Sequence, residues 1–146
     1  MAVTAFLYGS APAKLANKEI DWDTDTVKVA LLDNTHTPAQ DTHDYFDDVS
    51  ADEVSGTGYT AGGATLANKS VGYTAGTNVT KFDADDVSWG SSTITARYAV
   101  LYVDTGGASS TDPLIGYVDF GEDVSSSSGT FSITWDAAGI FTVTVD

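Results

Sequence analysis

Residues 58–77 read GYTAGGATLANKSVGYTAGT, and the pentapeptide GYTAG occurs in it twice, fourteen residues apart. If these glycines cradle a phosphate ahead of a helix, the chain is an α/β nucleotide binder. If they serve turns and bulges between strands, it is an all-β protein. A Walker loop needs G-x-x-x-x-G-K-[ST], and that pattern is absent. Gly56-Thr57-Gly58 opens like a dinucleotide fingerprint, but Ala61 stands where the third glycine belongs. No amphipathic helix follows to present its N-terminus to a pyrophosphate. The Thr- and Tyr-rich surroundings suit strands, with the glycines at turns and bulges. The two copies are expected in two strands flanking Ala67-Asn68-Lys69, and two copies do not make a solenoid.

The rest of the chain supports the β reading. Val27, Val29 and Leu31 alternate with Lys28 and Ala30, which is period two. Phe131, Ile133 and Trp135 alternate with Ser132 and Thr134, and Phe141, Val143 and Val145 with Thr142 and Thr144. Thr95 to Val103 and Leu114 to Phe120 are apolar on both sides and read as central strands. Turn chemistry is expected at Gly106-Gly107, at Gly121, across Ser125 to Gly129 and at Gly139. Two stretches read as helical. Ala11 to Ile20 has Leu15 and Ile20 as buried contacts. Asp41 to Val54 has Thr42 as N-cap, with Tyr45, Phe46 and Val49 at helical spacing.

The expected fold is therefore all-β and mainly antiparallel, a β-sandwich or barrel-like single domain with one or two short helices. Its core is expected to hold Val29, Leu31, Val100, Leu101, Val118, Phe131, Ile133 and Trp135. Residues 1–18 form an N-terminal arm or a first strand, and 19–146 a single β-rich domain. With 146 residues, 42% apolar content, three Trp, seven Tyr and six Phe, the chain has material for one core.

Charge and composition exclude several functions. Twenty-one acids against six bases give a formal charge of −15, so neither nucleic acid nor an anionic membrane surface is expected as a partner. The surface is either solubilising or matched to a basic patch on a partner. There is no cysteine for a disulfide or a thiolate site. The N-terminus has no basic region and only Ala5 to Tyr8 as an apolar run, so it does not read as a secretion signal. The chain reads as soluble and made in the cytoplasm.

The search for chemistry points away from an enzyme. Asp21, Asp23 and Asp25 begin like a calcium loop, but Thr26 and Leu32 stand where Gly and Glu are required. Asp83, Asp85 and Asp86 are expected to cap turns rather than to bind Ca²⁺. His36 and His43 lie seven apart in a polar stretch, which is not a chelating interval, and are expected as solvent-exposed loop residues. No G-x-S-x-G elbow is present, and a glycosidase-type carboxylate pair has no local signature. Arg97, the sole arginine, is expected to pair with Asp104 or Asp119. No catalytic residue, cofactor or metal is expected.

Four blocks carry a resemblance: IDWDTDTVKVALL (20–32), EVSGTGYTAGGATLANKSV (53–71), FDADDVSWGSSTITARYAVLYVDTG (82–106) and PLIGYVDFGEDVSSSSGTFSITWDAAGI (113–140). In this order they resemble a family of tailed-bacteriophage virion structural proteins, covering roughly Ile20 to Thr142. The resemblance implies no catalytic residues. Members of that family are variously labelled head decoration, tail or uncharacterised structural proteins. Within a virion an acidic, β-rich, cysteine-free chain suits a head decoration (cement) protein on the capsid surface, with the major capsid protein as expected partner and a homo-oligomer, a trimer around a shell symmetry axis, as the expected assembly. Its alternative within the virion is a tail or minor structural protein. A sugar- or calcium-binding module on a fibre is a third reading, requiring exposed Trp22 or Trp89 beside carboxylates. The expected partner-contact arm is Ala5, Phe6, Leu7 and Tyr8, an apolar run suited to adding to a neighbour's sheet edge.

Overall fold

A computed structural model describes residues 2–146, leaving Met1 of the N-terminal segment outside. Its elements in chain order are β1 (Thr4–Leu7), α1 (Ala11–Ala16), β2 (Val27–Leu32), β3 (Ala64–Thr65), β4 (Ser70–Thr74), β5 (Val79–Asp83), β6 (Val87–Val103), β7 (Leu114–Ile133) and β8 (Phe141–Thr144), with three short 3-10 turns between. They build two antiparallel sheets, one ordered β1-β7-β6-β2-β3 and the other β4-β5-β8.

The larger sheet is covered on both faces, which is why its central strands read as apolar throughout. Register shows the division. Val27, Val29 and Leu31 oppose Val103, Leu101 and Ala99, and all face the core between the two sheets. Lys28, Ala30 and Leu32 oppose Tyr102, Val100 and Tyr98, the last two pairs joining Tyr102 in a second cluster on the far face. Phe46 stacks on Tyr102 in that second cluster at 4.0 Å, and Val49, Tyr8, Leu114 and Tyr117 complete it. Of the expected core, Val29, Leu31, Val100, Leu101, Phe131 and Ile133 are buried, while Val118 and Trp135 pack against the core half-exposed.

Trp22 joins the sheets. Its ring meets Phe82 and Phe141 edge-on at 6.0 and 5.3 Å, and these two phenylalanines stack at 4.2 Å. Its indole N–H donates to the carbonyls of Ser70 and Asp83, at 3.1 and 3.3 Å, so the only polar atom of the ring is satisfied.

Several local expectations are corrected by long-range pairing. Asp41 to Val54 is no α-helix: it makes 3-10 turns at Phe46–Asp48 and Ser50–Asp52. Tyr45 is extended because it bridges Pro113, with Phe46 N–H donating to Asp112 O and Leu114 N–H to Asp44 O. The cap is then supplied from within the turn, where the Asp48 carboxylate accepts from the Asp44 and Tyr45 N–H groups, rather than by Thr42. Helix α1 falls inside the expected stretch, carries Pro12 in its first turn and ends as Lys18 enters the left-handed region at φ 61°.

Ser125 to Gly129 is strand rather than turn. Thr95 and Ser125 hydroxyls meet at 2.7 Å, as do Ser92 and Ser126, so serine on this pair replaces backbone-turn bonding with cross-strand bonding. Gly121 does mark an irregularity: β7 gains residues against β6 between Ala96 and Tyr98, and the Gly121 N–H bonds Asp119.

The two GYTAG copies take different structures. The first forms the turns leading into β3, with Gly58, Gly62 and Gly63 at φ 80°, 91° and 79°. The second starts inside β4 and ends in the β4–β5 turn, where a side chain at Gly72 or Gly76 would meet open space. The pentapeptide has no common structure in its two places, and only its first copy requires glycine for its backbone.

Candidate functional site

The N-terminal segment forms the first strand of the domain. Ala5, Phe6 and Leu7 pair with Val118, Tyr117 and Gly116 of β7. Tyr8 is fully buried and packs on Tyr117, with ring centres 5.2 Å apart, so of the four expected contact residues it is the one withdrawn from any neighbour. Phe6 stacks on Tyr117 at 5.2 Å yet remains exposed, as does Val3 ahead of it. Strand β1 sits at one end of its sheet, so its outer edge carries backbone groups with no strand beside them. Gln40 satisfies one of these, donating from Nε2 to Leu7 O at 2.7 Å.

Beside that edge the two sheets do not close. An open groove of about 710 Å³ runs between β1–β7 and the segment 132–142, with Ala5, Leu7, Val118, Phe120, Trp135 and Phe141 among its walls. The apolar surface continues on the smaller sheet. Val71, Phe82 and Phe141 are in register on one face, followed two residues along each strand by Tyr73, Thr80 and Val143. Phe82 and Phe141 of the first set pack against Trp22, while Val71 and the second set overhang the core. Val71, Tyr73, Val143 and Val145 are 46, 58, 45 and 58% exposed. Phe141 and Val143 lie on one face of β8 as period two expects, Val145 falls beyond the strand, and only Phe141 reaches the interior. Nothing in a local pattern tells a strand that overhangs from one that is covered.

Residues weighed for chemistry are otherwise engaged. Asp21 accepts from the N–H groups of Asp23 and Thr24, and Asp25 from that of Asp21. Asp85 accepts from Asn68 and Asp86 from the Trp135 N–H. Trp22 and Trp89 are both buried, so the exposed ring that a sugar site requires at these positions is missing. Among the described residues no group of three or more His, Cys, Asp or Glu is placed to hold a metal ion. The two histidines are corrected: His36 is 4% exposed and His43 only half-exposed, because the 33–54 segment folds back over the larger sheet.

Arg97 Nε donates to Asp119 at 2.9 Å, and Lys28 pairs with Asp104 at 2.6 Å. These bonds hold Asp119 and Asp104 below the ordinary carboxylate range, as the Thr24 and Asp44 N–H groups do for Asp21 and Asp48. A carboxyl held low in the fold takes up its proton less readily than in the unfolded chain. Its contribution is present above the unfolded value of about 4 and is lost as pH falls through the lower folded value. The urea midpoint is therefore expected to change little from pH 7 to about 5 and to fall below about pH 4. A midpoint that does not fall as these carboxyls take up protons would contradict this assignment.

No family model, curated protein or solved structure matches the chain.

Proposed function

We propose that the chain is a virion structural protein of a tailed bacteriophage, attached to the outside of the head as a decoration protein that bridges capsid subunits. The four-block sequence resemblance gives the class. The observation that supports attachment is the free edge of β1 lying beside an open apolar groove on an otherwise strongly acidic body. A strand from a neighbouring subunit laid along β1 gains backbone hydrogen bonds from the edge and apolar contacts from the groove. Each bound copy stabilises the assembled shell by mass action. The −15 charge requires that neighbouring copies be spaced or seated on basic contacts, because exposed charges closer than a Debye length of about 8 Å repel. The acidic remainder then faces solvent, and the partner face of the major capsid protein carries Lys and Arg around an apolar centre.

Quantifying the chain in purified particles tests the placement: hundreds of copies per particle are expected, and a few copies confined to the tail would sink the proposal. The contact is tested by returning purified protein to heads that lack it. Deleting residues 2–8 would also remove buried Tyr8, so the cleaner probe is the exposed pair Val3→Asp with Phe6→Asp. Head binding is expected to weaken by about tenfold or more with an unchanged circular dichroism spectrum. Full binding by this variant would take β1 out of the contact.

A further inference from the structure

Under the 33–54 segment, at the end of β1, several polar atoms are buried without a partner: His36 Nε2, His43 Nδ1, Tyr8 Oη and Ser10 Oγ. Buried polar atoms in folded proteins nearly always have partners, and an orphan calls for an explanation. Here the orphans cluster. The His36 and His43 ring centres lie 5.6 Å apart, and those of Tyr8 and His43 6.4 Å.

The hydrogen bonding of His36 fixes what its free atom is. Nδ1 lies 2.8 Å from the Asp52 carboxylate, which accepts the ring proton. In the neutral imidazole this leaves Nε2 as a bare lone pair, directed to no donor and shielded from water. A carboxylate behind one ring nitrogen and an open lone pair at the other is the arrangement in which histidine ligates metal: the carboxylate fixes tautomer and orientation and raises the basicity of the ligating nitrogen. His43 offers a second orphaned ring nitrogen. Metal–nitrogen bonds of about 2.0–2.1 Å to two imidazoles at a tetrahedral angle bring the ring centres to roughly 5 Å, close to the separation present.

We propose that His36 Nε2 and His43 Nδ1 bind one divalent transition-metal ion of the zinc class, with the Tyr8 hydroxyl as a third oxygen donor. Imidazole selects such ions over Ca²⁺ and Mg²⁺, which take sets of oxygen ligands. Asp52 behind His36 and Asp48 near His43 supply negative charge, and half-exposed His43 gives the ion a way in. The ion would tie Tyr8, at the end of β1, to the segment that covers the larger sheet. The seven-residue spacing concealed the pair because folding, not local sequence, brings the rings together.

The test uses the full chain with Zn²⁺ alone as the probe, at pH 7.5. Calorimetry is expected to show saturable binding of one Zn²⁺ per chain, unaffected by excess Ca²⁺. At saturation Tm is expected to rise by about 3 °C or more. His43→Ala, at a half-exposed position, is expected to abolish both effects, and Asp52→Asn to weaken binding by about 10–100-fold. In the unmutated chain, imidazole ¹⁵N resonances of both histidines are expected to shift on Zn²⁺ addition, a measurement independent of how any variant folds. The proposal is overturned by the absence of saturable binding, by equal binding to His43→Ala, by displacement with Ca²⁺, or by histidine resonances that do not move. Each of the latter three would place the ion on the acidic surface.

Discussion

Trp22→Ala is expected to destabilise the protein by about 3–5 kcal/mol, read as a fall in the urea midpoint at constant slope. The estimate rests on what the indole joins. It is buried, packs edge-on against Phe82 of β5 and Phe141 of β8, and donates to carbonyls of Ser70 and Asp83 at the ends of the β4–β5 hairpin. Alanine removes the wedge between the sheets and leaves a cavity that the stacked Phe82 and Phe141 can fill only by moving the smaller sheet. Trp22→Phe separates the two contributions, retaining an aromatic ring while losing the N–H. It is expected to cost less, on the order of 1–3 kcal/mol. Equal costs for the two variants would show that the hydrogen bonds, not the packing, hold the sheets together.

Gly63→Ala is expected to be of similar severity, about 3 kcal/mol or more, for a different reason. Gly63 sits at φ 79°, in the left-handed region, immediately before β3. A methyl group there would lie 2.6 Å from the Val29 carbonyl carbon and 2.7 Å from Ala30 Cα, closer still to the Val29 oxygen, and all of these are backbone atoms of a central strand. No rotamer relieves such a contact, so β3 must leave β2. Gly72→Ala is the matched control: it occupies the second GYTAG copy, meets open space, and is expected to change stability by less than about 0.5 kcal/mol. Hydrogen exchange at Leu66, whose N–H bonds Val27 O, reports the loss of β3 directly.

This contrast shows how much was legible in the chain and how much was not. Period two and two-sided apolar runs carried the fold class, the central strands and most of the core, because burial acts on each strand through its own side chains. The Arg97–Asp119 pair was legible for a similar reason, since a lone arginine inside a strand must find a carboxylate across the sheet. What escaped depends on distant partners. Serine looked like turn at 125–129 until cross-strand hydroxyls were available to it, and 41–54 looked helical until Tyr45 found Pro113. His36 and His43 read as solvent-exposed because the polarity of their neighbours says nothing about the sheet on which the segment lies. The contact run at Ala5 to Tyr8 divides in the same way: composition picked out an apolar strand, while only the fold shows that Tyr8 is inside and Phe6 outside.

The pairing of β1 with β7 also sets a schedule. Leu7 lies opposite Gly116, so β1 waits during synthesis until the chain has reached β7 before it has anywhere to dock. At translation rates of about 5–20 residues per second, that interval is on the order of 5–20 s. Throughout it, Phe6, Leu7 and Tyr8 are without their β7 partners on the nascent chain, and closing so long a loop makes this pairing one of the entropically costliest in the sheet. The edge offered to a neighbour in the finished protein is therefore also among the last parts of it to exist.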